Sequence, residues 1–238
     1  MNVVVCLPTY NERENLERML RALTDVLPHG RAVIVIDDAS PDGTGELADR
    51  LARELDGVSV LHRDRKEGLG PAYLAGFRQA LADGADLVLE MDCDFSHDPG
   101  DVPRLLEAAA GADLVLGSRY VQGGTIVNWG LWRRLVSAAG SFYARVVLGL
   151  GVRDLTGGFK CYRRAVLESI DLVAIRSRGY AFQIETTYRA ARAGFRIVEV
   201  PIAFVDREVG GSKMTRSIVL EAIWKVPALR LASLLHRL

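Results

Sequence analysis

The sequence has few cysteines, no net charge and no long apolar run, and each of these shortages excludes a class of protein. Lys plus Arg and Asp plus Glu both number 30 among 238 residues, so the chain lacks the basic excess of a nucleic-acid-binding domain. Cys6, Cys93 and Cys161 are far apart and match no metal-ligand spacing, which predicts reduced thiols in a cytoplasmic protein. The sequence contains no apolar run of about 18 residues, so we expect no transmembrane helix. The first residues enter an apolar strand pattern directly, so we expect no signal peptide.

The first half of the sequence alternates short apolar runs with segments of helical periodicity. The apolar runs predict strands at residues 3–7, 32–36, 58–61, 86–91 and 113–116. Between them, apolar residues recur at a spacing near 3.6, which is typical of amphipathic helices. Strands that alternate with helices indicate an α/β fold, in which a mainly parallel sheet carries helices on both faces.

Local signals predict where individual helices begin. Asn11 and Glu14 have the spacing of a capping box. Residues 41–43 form a Pro-Asp-Gly turn ahead of the second helical segment. Asp98 stands before Pro99, which is a good capping residue before a proline at the first helical position.

The alternation weakens after Ser118, and the second half is harder to assign. Its patterns predict helices at 132–148 and 183–193, a strand at 195–200, and a helical segment at 217–238. Pro227 is expected to interrupt that last segment. Because no repeat or low-complexity linker divides the sequence, we expect one domain over residues 1–215 and a C-terminal amphipathic helix over residues 216–238.

Polar clusters follow three of the predicted strands. They occupy residues 8–12, the pair Asp37 and Asp38, and residues 92–98. In open α/β sheets, ligands bind beyond the carboxyl ends of the strands. We therefore expect the three clusters to meet at one edge of the sheet and to form a binding site there.

Asp92 and Asp94 are candidate metal ligands. They follow an apolar strand, and alternate residues of an extended segment point the same way, so both carboxylates can reach one ion. Hard oxygen ligands suit Mg²⁺ or Mn²⁺ bound together with phosphates. The alternative is that Asp92, Asp94 and Asp98 are ordinary loop and capping residues. His97 is left out of the ligand set, because a lone loop histidine is more often a solvated surface residue.

These segments resemble the family 2 inverting glycosyltransferases, whose fold is called GT-A and has a Rossmann-like nucleotide-binding half. Residues 7–16, 35–44 and 91–97 look like the family's signature blocks, in the expected order. More narrowly, the chain is similar to dolichyl- or polyprenyl-phosphate mannosyltransferases. The blocks that carry this closer resemblance are residues 117–120, 128–129, Arg133, 154–159 and 205–213. Cys93 departs from the alanine that the family often has between the two aspartates.

The resemblance implies a role for each of a set of site residues. The guanosine part of GDP-mannose would contact Pro8, Tyr10, Glu12, Ile36 and Asp38, with Asp92 and Cys93 continuing that contact. Asp94 would bind Mg²⁺ or Mn²⁺ with Ser96 beside it, and the donor diphosphate would contact Arg207 and Lys213. Arg119, Arg133 and Ser137 would receive the acceptor phosphate. Asp94, Arg119 and Arg133 would then carry the catalysis.

The implied reaction transfers mannose from GDP-mannose to a polyprenyl phosphate with inversion at the anomeric carbon. A phosphate monoester has a second pKa near 6 and is mostly dianionic at neutral pH. Such an acceptor attacks without giving a proton to the protein, so we expect no obligatory catalytic base. The enzyme would instead supply cations that align two anionic substrates and stabilise the leaving diphosphate.

The C-terminal segment and the identity of the sugar leave alternatives open. Residues 217–238 form an amphipathic, mildly basic pattern, which fits a helix at the cytoplasmic face of a membrane and equally fits a helix packed on its own domain. The other candidate activities are transfer of glucose to a polyprenyl phosphate and transfer to a soluble acceptor. A regulatory, transferase-like partner of a membrane-anchoring subunit is the non-enzymatic alternative.

Overall fold

A computed structural model describes residues 1–28, 31–177, 179–206 and 216–235, with only the backbone for residue 31 and residues 216–222. The strands are β1 (Val3–Thr9), β2 (Arg31–Asp37), β3 (Val58–His62), β4 (Leu87–Glu90), β5 (Leu114–Ser118), β6 (Thr125–Val127), β7 (Lys160–Arg163), β8 (Ile197–Pro201) and β9 (Ala203–Val205). The helices are α1 (Arg13–Val26), α2 (Thr44–Glu54), α3 (Leu69–Ala82), α4 (Val102–Ala108), α5 (Leu131–Leu148), α6 (Arg164–Ser169), α7 (Gly179–Arg192) and α8 (Arg216–Leu234). A short 3₁₀ turn, Pro99–Asp101, precedes α4.

The central sheet has seven strands in the order β3-β2-β1-β4-β7-β5-β8. Strand β7 runs antiparallel to both of its neighbours, β4 and β5, and the other pairings in this sheet are parallel. Strands β6 and β9 form a separate parallel pair. The predicted mainly parallel α/β fold is confirmed, and each of the five strands predicted in the first half is present.

Both faces of the sheet are buried, which explains why its strands read as continuous apolar runs. Along β1, Val3, Val5 and Leu7 pack on the face that also holds Leu16 and Met19 of α1. Val4 and Cys6 point to the opposite face, where the core residues include Phe77, Phe182, Tyr188, Val226 and Leu229. Val226 and Leu229 belong to α8, so the C-terminal helix contributes one face to the core.

Two predictions about helix ends are wrong. Asn11 and Glu14 form no capping box: α1 begins at Arg13, and Asn11 has a left-handed φ of 57°. Instead, the Glu12 N–H donates to Thr44 Oγ1 at 3.0 Å, so a neighbouring loop organises this helix start. Pro227 does not interrupt the last helix, because α8 is continuous through it. The turn at 41–43 is confirmed, and so is the cap at Asp98, whose side chain accepts from the Gly100 N–H at 2.8 Å.

The second half also contains elements that were not predicted. Strands β6, β7 and β9 lie outside the predicted set, and α7 begins at Gly179, four residues earlier than expected. Among the described helices, none has the length and apolar character needed to cross a bilayer.

Candidate active site

The three polar clusters meet at the carboxyl edge of neighbouring strands β2, β1 and β4. Thr9 Oγ1 lies 3.4 Å from Asp37 Oδ1, and the Asn11 N–H donates to Ser40 Oγ at 3.1 Å. On the other side, the Met91 N–H donates to the carbonyl of Cys6 at 3.4 Å, which places the start of the 92–98 loop beside β1. The predicted convergence is confirmed, because adjacent parallel strands end at the same edge.

Asp38 organises the loop between β3 and α3. Its buried carboxylate accepts bonds from Arg63 Nη1 at 2.5 Å and from the Gly68 N–H at 2.8 Å. The loop places Lys66 Nζ 3.6 Å from the centre of the Tyr10 ring. Arg63 and Lys66 therefore stand beside two residues of the predicted nucleoside site. The sequence reading missed them, because no local motif marks them.

Pro8, Ile36 and Glu12 are the remaining residues that were predicted to contact the nucleoside. Pro8 and Ile36 are partners in the β1–β2 register, and Ile36 is fully buried with its side chain in the core, so that side chain does not face a ligand. Glu12 is buried and accepts a bond from Asn15 Nδ2 at 2.9 Å. Arg207 and Lys213, the predicted diphosphate contacts, lie outside the described residues.

Asp92 and Cys93, in the loop that follows β4, direct their side chains to opposite sides. Cys93 points into the apolar core on one face of the sheet, and the Asp92 carboxylate lies on the other side, against Tyr73. Asp92 Oδ1 accepts from Tyr73 Oη at 3.2 Å. Burial, with Asp92 and Glu90 nearby, raises the pKa of Tyr73 well above its ordinary value, so the phenol stays protonated and donates. Because the Cys93 side chain packs in the core, a cysteine is compatible with the loop at the position where the family often has alanine.

Asp92 and Asp94 have the chemistry to bind a metal ion that a substrate also coordinates. Asp94 is buried, and its Oδ1 accepts bonds from both the N–H and the hydroxyl of Ser96. Within the described ranges, no three His, Cys, Asp or Glu side chains are grouped to hold a metal on their own. Mg²⁺ is commonly held by one or two carboxylates together with phosphate oxygens. Asp92 and Asp94 supply a donor set of that kind.

His97 is not a solvated surface residue, and this expectation from the sequence is wrong. The ring is buried, stacks on Phe159 with ring centres 5.1 Å apart and meets the edge of Phe204. Its Nδ1 accepts from the Asp92 N–H at 3.3 Å. Burial, opposed by the Asp94 carboxylate, lowers the pKa of His97 to about 4. A neutral imidazole therefore holds the backbone of the carboxylate loop in place.

Arg119 is held by a buried partner and does not project freely toward an acceptor. Its Nε and Nη2 donate to the two oxygens of Asp154 at 2.8 and 2.7 Å, and Nη2 also donates to Thr156 at 2.8 Å. Burial alone would lower the pKa of Arg119, but Asp154 outweighs this effect and holds the pKa above its ordinary value. Asp154 lies in one of the blocks that resemble the family, but no sequence pattern predicts its pairing with Arg119.

Arg133 lies near Arg119, and Trp129 stands between them. The ring centre of Trp129 is 4.1 Å from Arg133 Cζ and 5.6 Å from Arg119 Cζ. Arg133 Nη1 bonds both oxygens of Asp206 at 2.8 Å. Its Nε is buried and has no hydrogen-bond partner in the described part of the chain. The structure thus brings the two predicted acceptor arginines together around a tryptophan to which the sequence reading gave no role.

Arg133 and Ser137 border an apolar cavity of about 80 Å³ between α5, α7 and α8. Ser137 Oγ accepts from Tyr120 Oη at 2.8 Å. The apolar part of the lining includes Trp129, Val136, Tyr143, Ile184, Ile223 and Val226. The arrangement joins a cationic rim to an apolar interior, which matches a ligand with an anionic head and a hydrocarbon body.

Residues 4–171 match the model of the family described as glycosyl transferase family 2. The chain is 54% identical, over 98% of its length, to an undecaprenyl-phosphate mannosyltransferase of Micrococcus luteus, and covers 96% of that protein. It is 53% identical, over 94% of its length, to a polyprenol monophosphomannose synthase of Mycolicibacterium smegmatis, and covers 84% of it.

Solved structures share the fold at much lower identity. Glucosyl-3-phosphoglycerate synthase from Mycobacterium tuberculosis, in complex with Mn²⁺, UDP-glucose and phosphoglyceric acid, superimposes with a TM-score of 0.70 at 20% identity. The match covers 97% of this chain and 79% of that one. The GT-A fold expected from the motifs is thereby confirmed. The chain belongs to glycosyl transferase family 2, as its signature blocks predict, and is a glycosyltransferase.

Proposed function

We propose that the enzyme transfers mannose from GDP-mannose to a polyprenyl phosphate, with inversion at the anomeric carbon. The observation that carries the acceptor assignment is Arg133 Nε, a buried donor without a partner among the described residues, at the rim of an apolar cavity. The two relatives above 50% identity are named for mannose and for a polyprenyl or undecaprenyl phosphate, which supports the same acceptor class and the same sugar.

The geometry of Arg133 suits a phosphate. Asp206 occupies Nη1, so the Nε edge of the guanidinium is left for a ligand. Arginine binds phosphate best through two parallel N–H bonds. For Arg119, the bonds to Asp154 and Thr156 use Nε and Nη2, so Nη1 is the group that would reach a phosphate oxygen. Arg119 would then be held rigidly at the edge of the site, and Arg133 would bind the phosphate.

On the donor side, Asp92 and Asp94 would hold a divalent ion together with the diphosphate, and the ion would neutralise the charge of the leaving group. Tyr73 and Ser96 orient the two carboxylates, and His97 fixes the loop backbone between them and the core. Arg207 and Lys213 would add cations at the diphosphate. No general base is assigned, because a dianionic phosphate attacks without losing a proton.

The outer faces of α5 and α8 support peripheral association with a membrane. On α5, Leu131, Trp132, Leu135, Phe142 and Val146 are exposed, and on α8, Ile223, Trp224, Leu231 and Leu234 are exposed. The two helices are in contact, since Tyr143 Oη donates to the Ile223 carbonyl at 2.9 Å. Exposed tryptophans among aliphatic side chains are typical of interfacial helices. The apolar face of α8 was anticipated from the sequence, whereas that of α5 was not.

A screen of labelled sugar nucleotides tests the proposal. The chain is incubated with a polyprenyl phosphate in detergent or vesicles, with Mg²⁺ or Mn²⁺, and label is followed into the organic phase. GDP-mannose should label the lipid, whereas UDP-glucose and GDP-glucose should not. Labelling from a glucosyl donor alone would replace mannose by glucose, and label that stays in the aqueous phase would indicate a soluble acceptor.

A further inference from the structure

A group of buried polar side chains lies beneath Asp92 and is not explained by nucleotide, metal or acceptor binding. Glu90 and Lys160 face each other across strands β4 and β7, with Lys160 Nζ 3.4 Å from Glu90 Oε1 and both residues fully buried. Buried ion pairs add little net stability, because desolvation offsets the attraction between the charges. Their presence at a strand end beside the active site therefore suggests a positioning role.

Lys160 fixes the orientation of Gln183, a residue of α7. Its ammonium donates to Gln183 Oε1 at 2.6 Å and to the Gln183 carbonyl at 2.9 Å. An ammonium can only donate, so the amide oxygen must face Lys160 and Nε2 must point the other way. The Glu90–Lys160 pair thus determines which end of the Gln183 amide faces the site.

Gln183 Nε2 points toward the floor of the donor site. Gln183 is 1% exposed, and its amide donates toward the neighbouring Glu90 carboxylate, which accounts for one of the two Nε2 hydrogens. Nε2 lies 3.1 Å, and Asp92 Oδ2 3.9 Å, from the point that a Cβ on Gly158 would occupy. A methyl group on Gly158 would therefore press against the Gln183 amide. Nε2 carries two hydrogens, so the one that is not directed at Glu90 is available to a ligand oxygen on the side of Gly158.

We propose that Gln183 is a sugar-binding residue, whose Nε2 donates to a hydroxyl oxygen of the hexose in the bound sugar nucleotide. A sugar hydroxyl both accepts and donates, so Asp92 can accept from the hydroxyl that Gln183 donates to. Lys160 and Glu90 are positioning residues that act through the Gln183 amide. The inference rests on the proposed function, since it assumes a sugar nucleotide beside Asp92.

The test separates binding of the sugar from binding of the nucleotide. Gln183→Met removes both N–H groups at similar volume, and Gly158→Ala places a methyl group 3.1 Å from Nε2, where it would displace the amide. Thr187→Val is the matched control: Thr187 is a buried residue of the same helix whose hydroxyl donates to the Gln183 carbonyl at 3.0 Å. Calorimetry with Mn²⁺ measures the affinity of each protein for GDP and for GDP-mannose, and transfer kinetics give kcat/KM.

For Gln183→Met we expect an affinity for GDP within about twofold of wild type. Its affinity for GDP-mannose, or its kcat/KM, should fall by about tenfold or more, which is the loss expected for one buried hydrogen bond. Gly158→Ala should show the same selective loss, and Thr187→Val should leave both ligands within about twofold. Equal weakening of GDP and GDP-mannose would overturn the inference by giving Gln183 a structural role only. Unchanged GDP-mannose use by Gln183→Met would overturn it as well.

The two proposals fail separately. If the wild type transfers a different sugar, the proposed function is corrected, and the same comparison is made with that sugar nucleotide and its free nucleotide. If the wild type transfers mannose and Gln183→Met behaves like it, only the role of Gln183 is wrong. A wild type that uses no sugar nucleotide would overturn both.

Discussion

The guanidinium of Arg119 meets the carboxylate of Asp154 at two points, 2.8 Å from Nε to Oδ2 and 2.7 Å from Nη2 to Oδ1. Both side chains are buried, at 4% and 0% exposed. The nearby pair of Arg133 and Asp206 is partly exposed, at 22% and 30%. The two arginines around Trp129 therefore differ: Arg119 is held in a buried ion pair, whereas the ion pair of Arg133 is open to solvent.

Asp154→Asn should lower the free energy of unfolding by about 3–5 kcal/mol, because it leaves the buried Arg119 cation without its counter-charge. Asp206→Asn is the matched control, and its partly exposed pair should contribute about 1 kcal/mol or less. Urea unfolding followed by circular dichroism measures both. An Asp154→Asn protein within about 1 kcal/mol of wild type would show that the pair does not support the site.

Asp94→Asn keeps the shape of the side chain but removes its charge, and we expect it to reduce transfer by at least about a hundredfold, as for loss of an electrostatic contact to the leaving group. EDTA should have the same effect on the wild type, and added Mn²⁺ should reverse it. Asp98→Asn is the control, since Asp98 only caps the short helix at the end of the same loop. Transfer by Asp94→Asn near the wild-type rate, or full activity in EDTA, would exclude the metal assignment.

The buried imidazole of His97 should make folding stability depend on pH. Its pKa falls from 6.5 to about 4 in the folded protein, so between these values the unfolded chain binds more protons, and the free energy of unfolding rises with pH. The stability that this group contributes is fully present above pH 6.5 and is lost as the pH falls toward 4. At about 1.4 kcal/mol for each pKa unit, the loss amounts to about 3 kcal/mol.

His97→Asn isolates this effect, because its amide oxygen takes the place of Nδ1, can accept from the Asp92 N–H and does not titrate. Urea unfolding of both proteins between pH 4 and 7 should give a flatter dependence for the variant. Parallel curves would mean that His97 is not held neutral.

Trp132 of α5 and Trp224 of α8 should contribute to membrane binding, since each is 77% exposed. Replacing both with serine should weaken binding to vesicles that contain anionic lipid by at least about tenfold, because two large interfacial side chains are lost. Flotation of the protein with vesicles measures this change. Val173→Ser is the control, as Val173 is an exposed apolar residue outside these helices. Equal flotation of the double variant and the wild type would contradict the assignment of this face.

The features that local sequence determines were predictable. Alternation along the chain placed Cys93 in the core and the Asp92 carboxylate on the opposite side, against Tyr73, and adjacent parallel strands brought the polar clusters to one edge. Strand β7 was missed because Lys160 and its neighbours carry no distinct period and depend on pairing with β4 and β5. The burial of His97 depends on Phe159 and Phe204, far along the chain. Likewise, no pattern within a short window links Arg119 to Asp154.

Pro227 shows where a local rule fails for a physical reason. A proline inside a helix removes one backbone hydrogen bond, and the sequence therefore predicted an interruption. In the structure, Val226 and Leu229 pack into the core on either side of the proline. We infer that this burial outweighs the lost bond and keeps α8 continuous.

The acceptor itself gives the most direct test of the account. Transfer from GDP-mannose is measured with a polyprenyl phosphate and with the corresponding free prenol, for the wild type and for Arg133→Lys. The wild type should use only the phosphate, and Arg133→Lys should need at least about tenfold more of it at unchanged GDP-mannose affinity, because lysine lacks the two-point edge of the guanidinium. A prenol that serves as well as its phosphate would contradict the mechanism without a base, and loss of donor affinity in Arg133→Lys would move this arginine to the donor site.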